Sequence, residues 1–130
     1  MQPKLQPVVT QQEILDVEKI VRAVPVADHV IDSAVELASA TRATEPGASE
    51  LAKKYIEWGA GPRASQYLVI GAKALALMTG LSAPETKHVR SVAPFVLSHR
   101  IVPNYRATGE GLKSAELVAK LIEGVHEPSY

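Results

Sequence analysis

The sequence predicts an all-α domain, a small bundle of five or six short helices. Three observations carry that prediction. Apolar residues recur at helical spacing along most of the chain, with charged residues between them. Helix starts and stops are marked by capping residues, prolines and glycines. Aromatics are scarce (one Trp, one Phe, four Tyr) while Ala, Val and Leu are abundant, which favours closely packed helices over a sheet.

Residues 1–9, with Pro3 and Pro7, read as an extended lead-in. Thr10 and Glu13 form a capping box. Ile14, Val17, Val21 and Val24 follow as one stripe until Pro25 ends the helix, and Val24-Pro25-Val26 is expected to be briefly extended. Asp28 is expected to cap a second helix, with the stripe Ile31, Ala34, Leu37, Ala38 and Thr41, ending near Arg42. Residues 43–49 carry loop chemistry around Pro46-Gly47. A short helix is expected from about Leu51 to Glu57. The third main helix starts at Pro62, which suits the first helical position, and runs to about Thr79, with Gly80 as its stop. Leu68, Ala72, Leu75 and Met78 form one stripe of it, and Ile70, Ala74 and Leu77 another. A helix apolar nearly all round belongs at the centre of its domain, and Gly71, Ala72, Ala74 and Ala76 would let neighbours approach closely. Ser82 and Glu85 form a second capping box, opening a helix through Val89 and Val92. Pro94 is expected to interrupt it, leaving a fresh turn over Phe95 to Ser98. Residues 99–113 read as irregular. Ser114 is expected to cap a last helix that buries Leu117, Leu121, Ile122 and Val125. Residues 126–130 read as a frayed tail, so the domain proper spans 10–125.

A length of 130 residues suggests one domain. Lys+Arg and Asp+Glu balance at 14 each, without the basic excess of a general nucleic-acid binder. No cysteine is present, which excludes disulfides and thiolate metal sites. No apolar run approaches the ~18 residues of a membrane span, and no signal peptide is visible. A cytoplasmic location is the expectation.

The segment Gly59-Ala60-Gly61-Pro62-Arg63-Ala64 carries the most chemical information. Arg63 falls in the first turn of the third main helix, where the helix dipole disfavours a cation by roughly 0.3–1 kcal/mol. A residue that breaks a local rule without structural gain is a candidate functional residue. Free backbone N–H groups at this helix start, together with a guanidinium, suit a phosphate. A solvated Arg whose stem packs on a neighbour is the alternative, and the residues alone leave both open.

Other candidates are weaker. Gly109-Glu110-Gly111-Leu112-Lys113-Ser114 looks like the end of a P-loop, but Leu112 stands where Gly must precede Lys, and Ala107 stands at another required Gly. With no P-loop and no paired acids after an apolar run, the chain alone cannot build a phosphoryl-transfer site. His29, His88, His99 and His126 show no metal-ligand spacing, so no metal site is expected. His88 reads as a surface or satisfied residue. His99-Arg100 follows a helix end, where cations can bond terminal carbonyls; a functional role for Arg100 is secondary. Lys53-Lys54 reads as a solvated face, and Trp58 as a core anchor.

Trp58 to Leu77 (WGAGPRASQYLVIGAKALAL) resembles the sensor 2 region of MoxR-type AAA+ ATPases, commonly GASPRA before a long Ala/Leu-rich helix. Upstream, Val9 to Arg42 resembles the family's first two lid helices, ending in Ala40-Thr41-Arg42. Downstream, Val92 to Ile101 (VAPFVLSHRI) resembles its VLxHR signature, with Glu110-Gly111 and a closing helix after it. Two departures stand out. Gly61 replaces the usual Ser, a cap change worth only a few tenths of a kcal/mol. After Gly80 the family often reads Arg-Asp-Tyr-Val-x-Pro-x-Asp-Val, of which Leu81 to Val89 keeps the final Val in register.

The resemblance implies the helical lid of a two-part ATPase module, excised from the α/β core that carries Walker A, Walker B, sensor 1 and the arginine finger. It implies that Arg63 is the sensor 2 arginine, beside Gly61 and Pro62, contacting the terminal phosphate. The full-length parent would use ATP and Mg; this segment would bind neither alone and would not be active alone. Implied partners are the core domain in cis, neighbouring subunits of a ring, expected to be a hexamer, and a von Willebrand A domain protein. The parent's implied role is chaperone-like assembly or maturation of client complexes. No nucleic acid or membrane partner is expected, and the segment alone is expected to be mostly monomer. A free-standing helical adaptor is the rival reading, and a helix-turn-helix DNA binder, disfavoured by zero net charge, is a further one.

Overall fold

The computed structural model describes residues 1–125. In chain order these form α1 (Gln11–Ala23), α2 (Asp28–Ala40), α3 (Glu50–Tyr55), β1 (Ile56–Trp58), α4 (Pro62–Met78), α5 (Thr86–Leu97), β2 (Val102–Pro103), α6 (Tyr105–Gly109) and α7 (Ser114–Gly124). The class is all-α, with one small antiparallel pair in which Ile56 faces Pro103 and Trp58 faces Val102. Residues 126–130, read from sequence as a frayed tail, lie outside the described residues.

The long helix α4 is central, packed against α1, α2 and α5. Ala64, Leu68, Ala72 and Ala76 follow one another at every fourth position and are all buried. This stripe of mostly small side chains brings the neighbouring helices close. At Gly71 a Cβ would meet the Val92 side chain at 3.2 Å, so glycine sets the spacing between α4 and α5. The helix ends as the sequence indicates. Gly80 adopts φ +81°, its N–H donates to Leu77 O at 3.1 Å, and the Leu81 N–H donates to Ala76 O at 2.9 Å. Those two bonds are the Schellman arrangement, which only a residue tolerant of left-handed φ completes cheaply. On the far side α7 packs on α5 and α3. There the Arg90 guanidinium donates to Val125 O at 2.7 Å and to Ile122 O, filling carbonyls that the end of α7 leaves open.

Several local expectations are corrected. The helix count exceeds five or six because α6 forms inside the stretch read as irregular. Asn104 caps it, its side chain accepting from the Ala107 N–H at 3.0 Å. The second helix begins one residue earlier than expected. Ala27 is its N-cap, with no side-chain cap bond, and Asp28 is the first helical residue, where its charge still suits the dipole. Its inward stripe starts at Val30, fully buried, while Ile31 is part exposed. Ser82 does not cap α5; Glu85 does, and His88 is buried with Nδ1 accepting from the Glu85 N–H at 2.9 Å. A start at Ser82 would force Ala83 into helical geometry immediately before Pro84, which the proline ring disfavours. The last helix is capped at Lys113 rather than Ser114, with the Glu116 carboxylate accepting from the Lys113 N–H at 2.8 Å.

Pro94 does not interrupt α5, which is continuous through Leu97. An interior proline costs about 3 kcal/mol or more. Val89 and Leu97, both fully buried on the same stripe as Ala93, each contribute roughly 1.5–3 kcal/mol by burial, so packing outweighs the lost bond. The stripe of α1 is the opposite case. Its capping box forms as expected, but no residue of the helix is buried, and Ile14 and Val17 are 49% and 55% exposed.

Candidate functional site

The turn from β1 into α4 is built from Gly59, Ala60 and Gly61. Gly61 is the N-cap of α4 in extended geometry (φ −73°, ψ 177°), Pro62 takes the first helical position, and no side chain caps this end. Ser65 does not cap it either, since its hydroxyl donates to Pro62 O at 2.7 Å. Arg63 stands in that first turn, exposed, and makes no hydrogen bond or ion pair among the described residues. Gly61, Pro62 and Arg63 thus form one contiguous outward-facing corner.

The end of α2 holds this corner from behind. The Thr41 hydroxyl donates to Ala38 O at 2.6 Å and accepts from the Ala60 N–H at 2.9 Å. The Arg42 Nε–H donates to Ala60 O at 2.7 Å. Both polar groups of Ala60 are therefore occupied by consecutive residues of another element, and Thr41 and Ala60 are fully buried. Gly59 permits the approach. A Cβ there would lie 2.5 Å from Thr41 O and 2.7 Å from Arg42 Cα, both backbone atoms.

On the other flank stands Tyr67, one helical turn after Arg63. The Arg100 guanidinium carbon lies 4.7 Å from the Tyr67 ring centroid, within cation–π range. Leu97 and Ile101 are buried on either side of Arg100 and anchor its backbone. The sequence placed Arg100 as a carbonyl-capping cation past a helix end. Its side chain stacks on Tyr67 instead, and its buried Nε has no hydrogen-bond partner among the described residues.

Trp58 is not a core anchor; it is 68% exposed while Ile56 is 2% exposed. In a regular strand these two would share a face. The register shifts between them, and such a bulge turns Trp58 outward. Trp58 lines an open cleft of about 360 Å³ with Arg42, Glu45, Glu57 and Gly61. Two carboxylates make this cleft a poor anion site, and Arg63 does not line it. Among the described residues no group of three or more His, Cys, Asp or Glu could hold a metal ion, and no helix is long and apolar enough to cross a membrane.

The family model of the AAA lid domain matches residues 48–121, which include the turn, α4 and Arg100. The chain belongs to the AAA lid domain family. Its relatives place this lid domain with the MoxR type. It is 27% identical over 126 residues to Chaperone MoxR1 of Mycobacterium tuberculosis, covering 97% of this chain and 33% of that protein. It is 26% identical over 124 residues to YeaC of Bacillus subtilis, an uncharacterized protein, covering 95% of this chain and 36% of that one. A crystal structure from Cytophaga hutchinsonii, described as a "putative ATPase", superposes with a TM-score of 0.82 at 28% identity, over 95% of this chain and 38% of that chain. The lid domain therefore spans about a third of the length of the curated relatives it matches.

Sequence reasoning placed Arg63 in the first turn of α4 but missed what Thr41 and Tyr67 do. The i+4 spacing from Arg63 to Tyr67 was a usable signal. The bonds from Thr41 and Arg42 to Ala60 span 19 and 18 residues, and nothing local announces them.

Proposed function

We propose that this lid domain senses nucleotide in a MoxR-like AAA+ ATPase through Arg63, its sensor 2 arginine. The observation that carries this reading is the state of Arg63: an exposed guanidinium at the uncapped N-terminal end of a 17-residue helix, with no partner of its own. The helix dipole disfavours a cation there, and a bound phosphate oxygen offsets both that cost and the missing cap. Gly61 and Pro62 leave the corner open and shape it.

The reading supplies a lever. A charge-assisted hydrogen bond is worth roughly 1.5–3 kcal/mol, enough to bias a hinge between two orientations when the phosphate is present or gone. The bias is useful only if the lid moves as a body. Occupation of both Ala60 polar groups by Thr41 and Arg42 and the close packing of α4 supply that rigidity. ATP, Mg and the hydrolytic groups belong to the α/β core of the full-length parent, docked in cis. The open apolar cleft between α2 and α4, lined by Ile31, Val35, Val69 and Ile70, and the bare apolar stripe of α1 are the surfaces this lid offers to it. Neighbouring subunits of a ring, a hexamer in this reading, complete the assembly in the cytoplasm. By analogy with the relative described as a chaperone, the parent matures or assembles client complexes, with a von Willebrand A domain protein as partner.

The test is Arg63→Ala in the full-length ATPase. The expected result is a strong loss of ATP turnover with an unchanged lid fold by circular dichroism; unaltered turnover would overturn the assignment. Calorimetry on residues 1–130 alone is expected to show negligible ATP binding, and micromolar affinity would contradict the division of labour.

A further inference from the structure

We infer that Arg100 is a second phosphate-binding residue of this site, held against the ring of Tyr67 beside Arg63. The inference rests on the nucleotide-sensing reading and adds a residue to it. Tyr67 follows Arg63 by four positions in α4, so the two stand on one face. Helical side chains lean toward the helix N-terminus, so Tyr67 leans toward the turn that carries Arg63. With its guanidinium carbon 4.7 Å from that ring, Arg100 is brought to the same turn from the segment after α5.

The stack accounts for an otherwise odd feature. The Arg100 Nε is buried without a hydrogen-bond partner among the described residues. A structural arginine would spend its donors on carbonyls, as Arg90 does at the end of α7. Arg100 instead lies over the ring and keeps its Nη groups off every acceptor among the described residues. The guanidinium of Arg63 on α4 and that of Arg100 against Tyr67 of the same helix, neither paired with a carboxylate among the described residues, leave local positive charge in a chain whose net charge is zero. From α1, Glu18 and Arg22 share a cleft with Tyr67, and Glu18 forms an ion pair with neither Arg63 nor Arg100 among the described residues. An arginine already restrained by stacking loses less freedom on binding. A chain of phosphoryl groups, as in a nucleoside triphosphate, presents oxygens to both cations at once.

The experiment measures affinity for ATPγS by calorimetry on the full-length ATPase, with thermal unfolding of each variant as the structural control. Arg100→Gln keeps the stem and a planar head but removes the charge. It is expected to weaken ATPγS binding roughly ten- to a hundredfold, with a smaller loss for ADP and an unfolding temperature close to wild type. Tyr67→Phe keeps the ring and is expected to bind normally, whereas Tyr67→Ala frees Arg100 and weakens binding in the same direction as Arg100→Gln. If Arg63→Ala weakens ATPγS binding and Arg100→Gln does not, the stack is structural and this inference is overturned while the nucleotide-sensing reading stands. If neither does, that reading falls first. Should Arg100→Gln fail to fold, Arg100→Lys keeps the charge without the planar stack; several-fold weaker binding supports the inference and wild-type affinity overturns it.

Discussion

Gly59 offers the sharpest test of how the Arg63 corner is built. In Gly59→Ala the new Cβ would sit 2.5 Å from Thr41 O and 2.7 Å from both Arg42 Cα and Thr41 C, where ordinary contact begins at 3.4 Å. These are backbone atoms and cannot rotate away, so the turn and the end of α2 must separate by about 1 Å. That separation stretches the Arg42–Ala60 bond, now 2.7 Å, and the Thr41–Ala60 bond, now 2.9 Å, past the 3.6 Å at which a hydrogen bond no longer exists. One of the two is charge-assisted, worth about 1.5–3 kcal/mol, and the other about 0.5–1.5 kcal/mol. With both lost, the expected loss of stability is about 2–4.5 kcal/mol. Urea denaturation of residues 1–130 reads it directly as a lower midpoint. Gly61→Ala is the internal control, two residues away in the same turn. A Cβ there meets nothing within 4 Å and φ is an ordinary −73°, so the loss is only that of a poorer N-cap, under about 1 kcal/mol. Equal midpoints for the two variants, or a Gly59→Ala protein as stable as wild type, would refute the close-approach argument.

Two further outcomes follow from the same structure. Pro94→Ala restores the backbone N–H that α5 lacks in its interior and leaves the buried stripe untouched, so stability is expected to rise by about 1–3 kcal/mol; a lower unfolding temperature would show that the proline ring itself contributes to packing. The Glu110 carboxylate accepts from the Tyr55 hydroxyl at 2.8 Å and from Arg106 Nε at 3.4 Å, and the Tyr55 bond, ahead of Arg106, holds its pKa below the ordinary 4.5. A depressed folded-state pKa gives stability that is present above the unfolded value and lost as pH falls through the folded one. Tyr55→Phe is therefore expected to raise the Glu110 pKa in an NMR titration and to flatten the stability profile on the acid side of 4.5; an unmoved titration would remove Tyr55 as the main cause.

Much of this lid domain was legible in the sequence because much of it is local. Capping boxes, the Pro62 start and the Gly80 stop act within one or two helical turns, and α1, α4 and the end of α2 fall close to where those signals put them. The errors have a common form. Ser82 has the right composition for a cap, but Pro84 two residues on vetoes the geometry. Pro94 has the right composition for a break, but the burial of Val89, Ala93 and Leu97 outweighs it. Trp58 was placed by its hydrophobicity, and a bulge invisible to composition turned it outward.

The site divides along the same line. By itself the sequence determined that Arg63 would stand in the first turn of a long helix behind a glycine-rich corner, because each of those properties belongs to a neighbouring residue. Only the tertiary structure decided what surrounds that corner. Thr41 and Arg42 reach Ala60 across 19 and 18 residues, and Arg100 reaches Tyr67 from beyond α5. Contacts of that kind depend on how helices dock, and docking is set by the whole buried surface rather than by any motif.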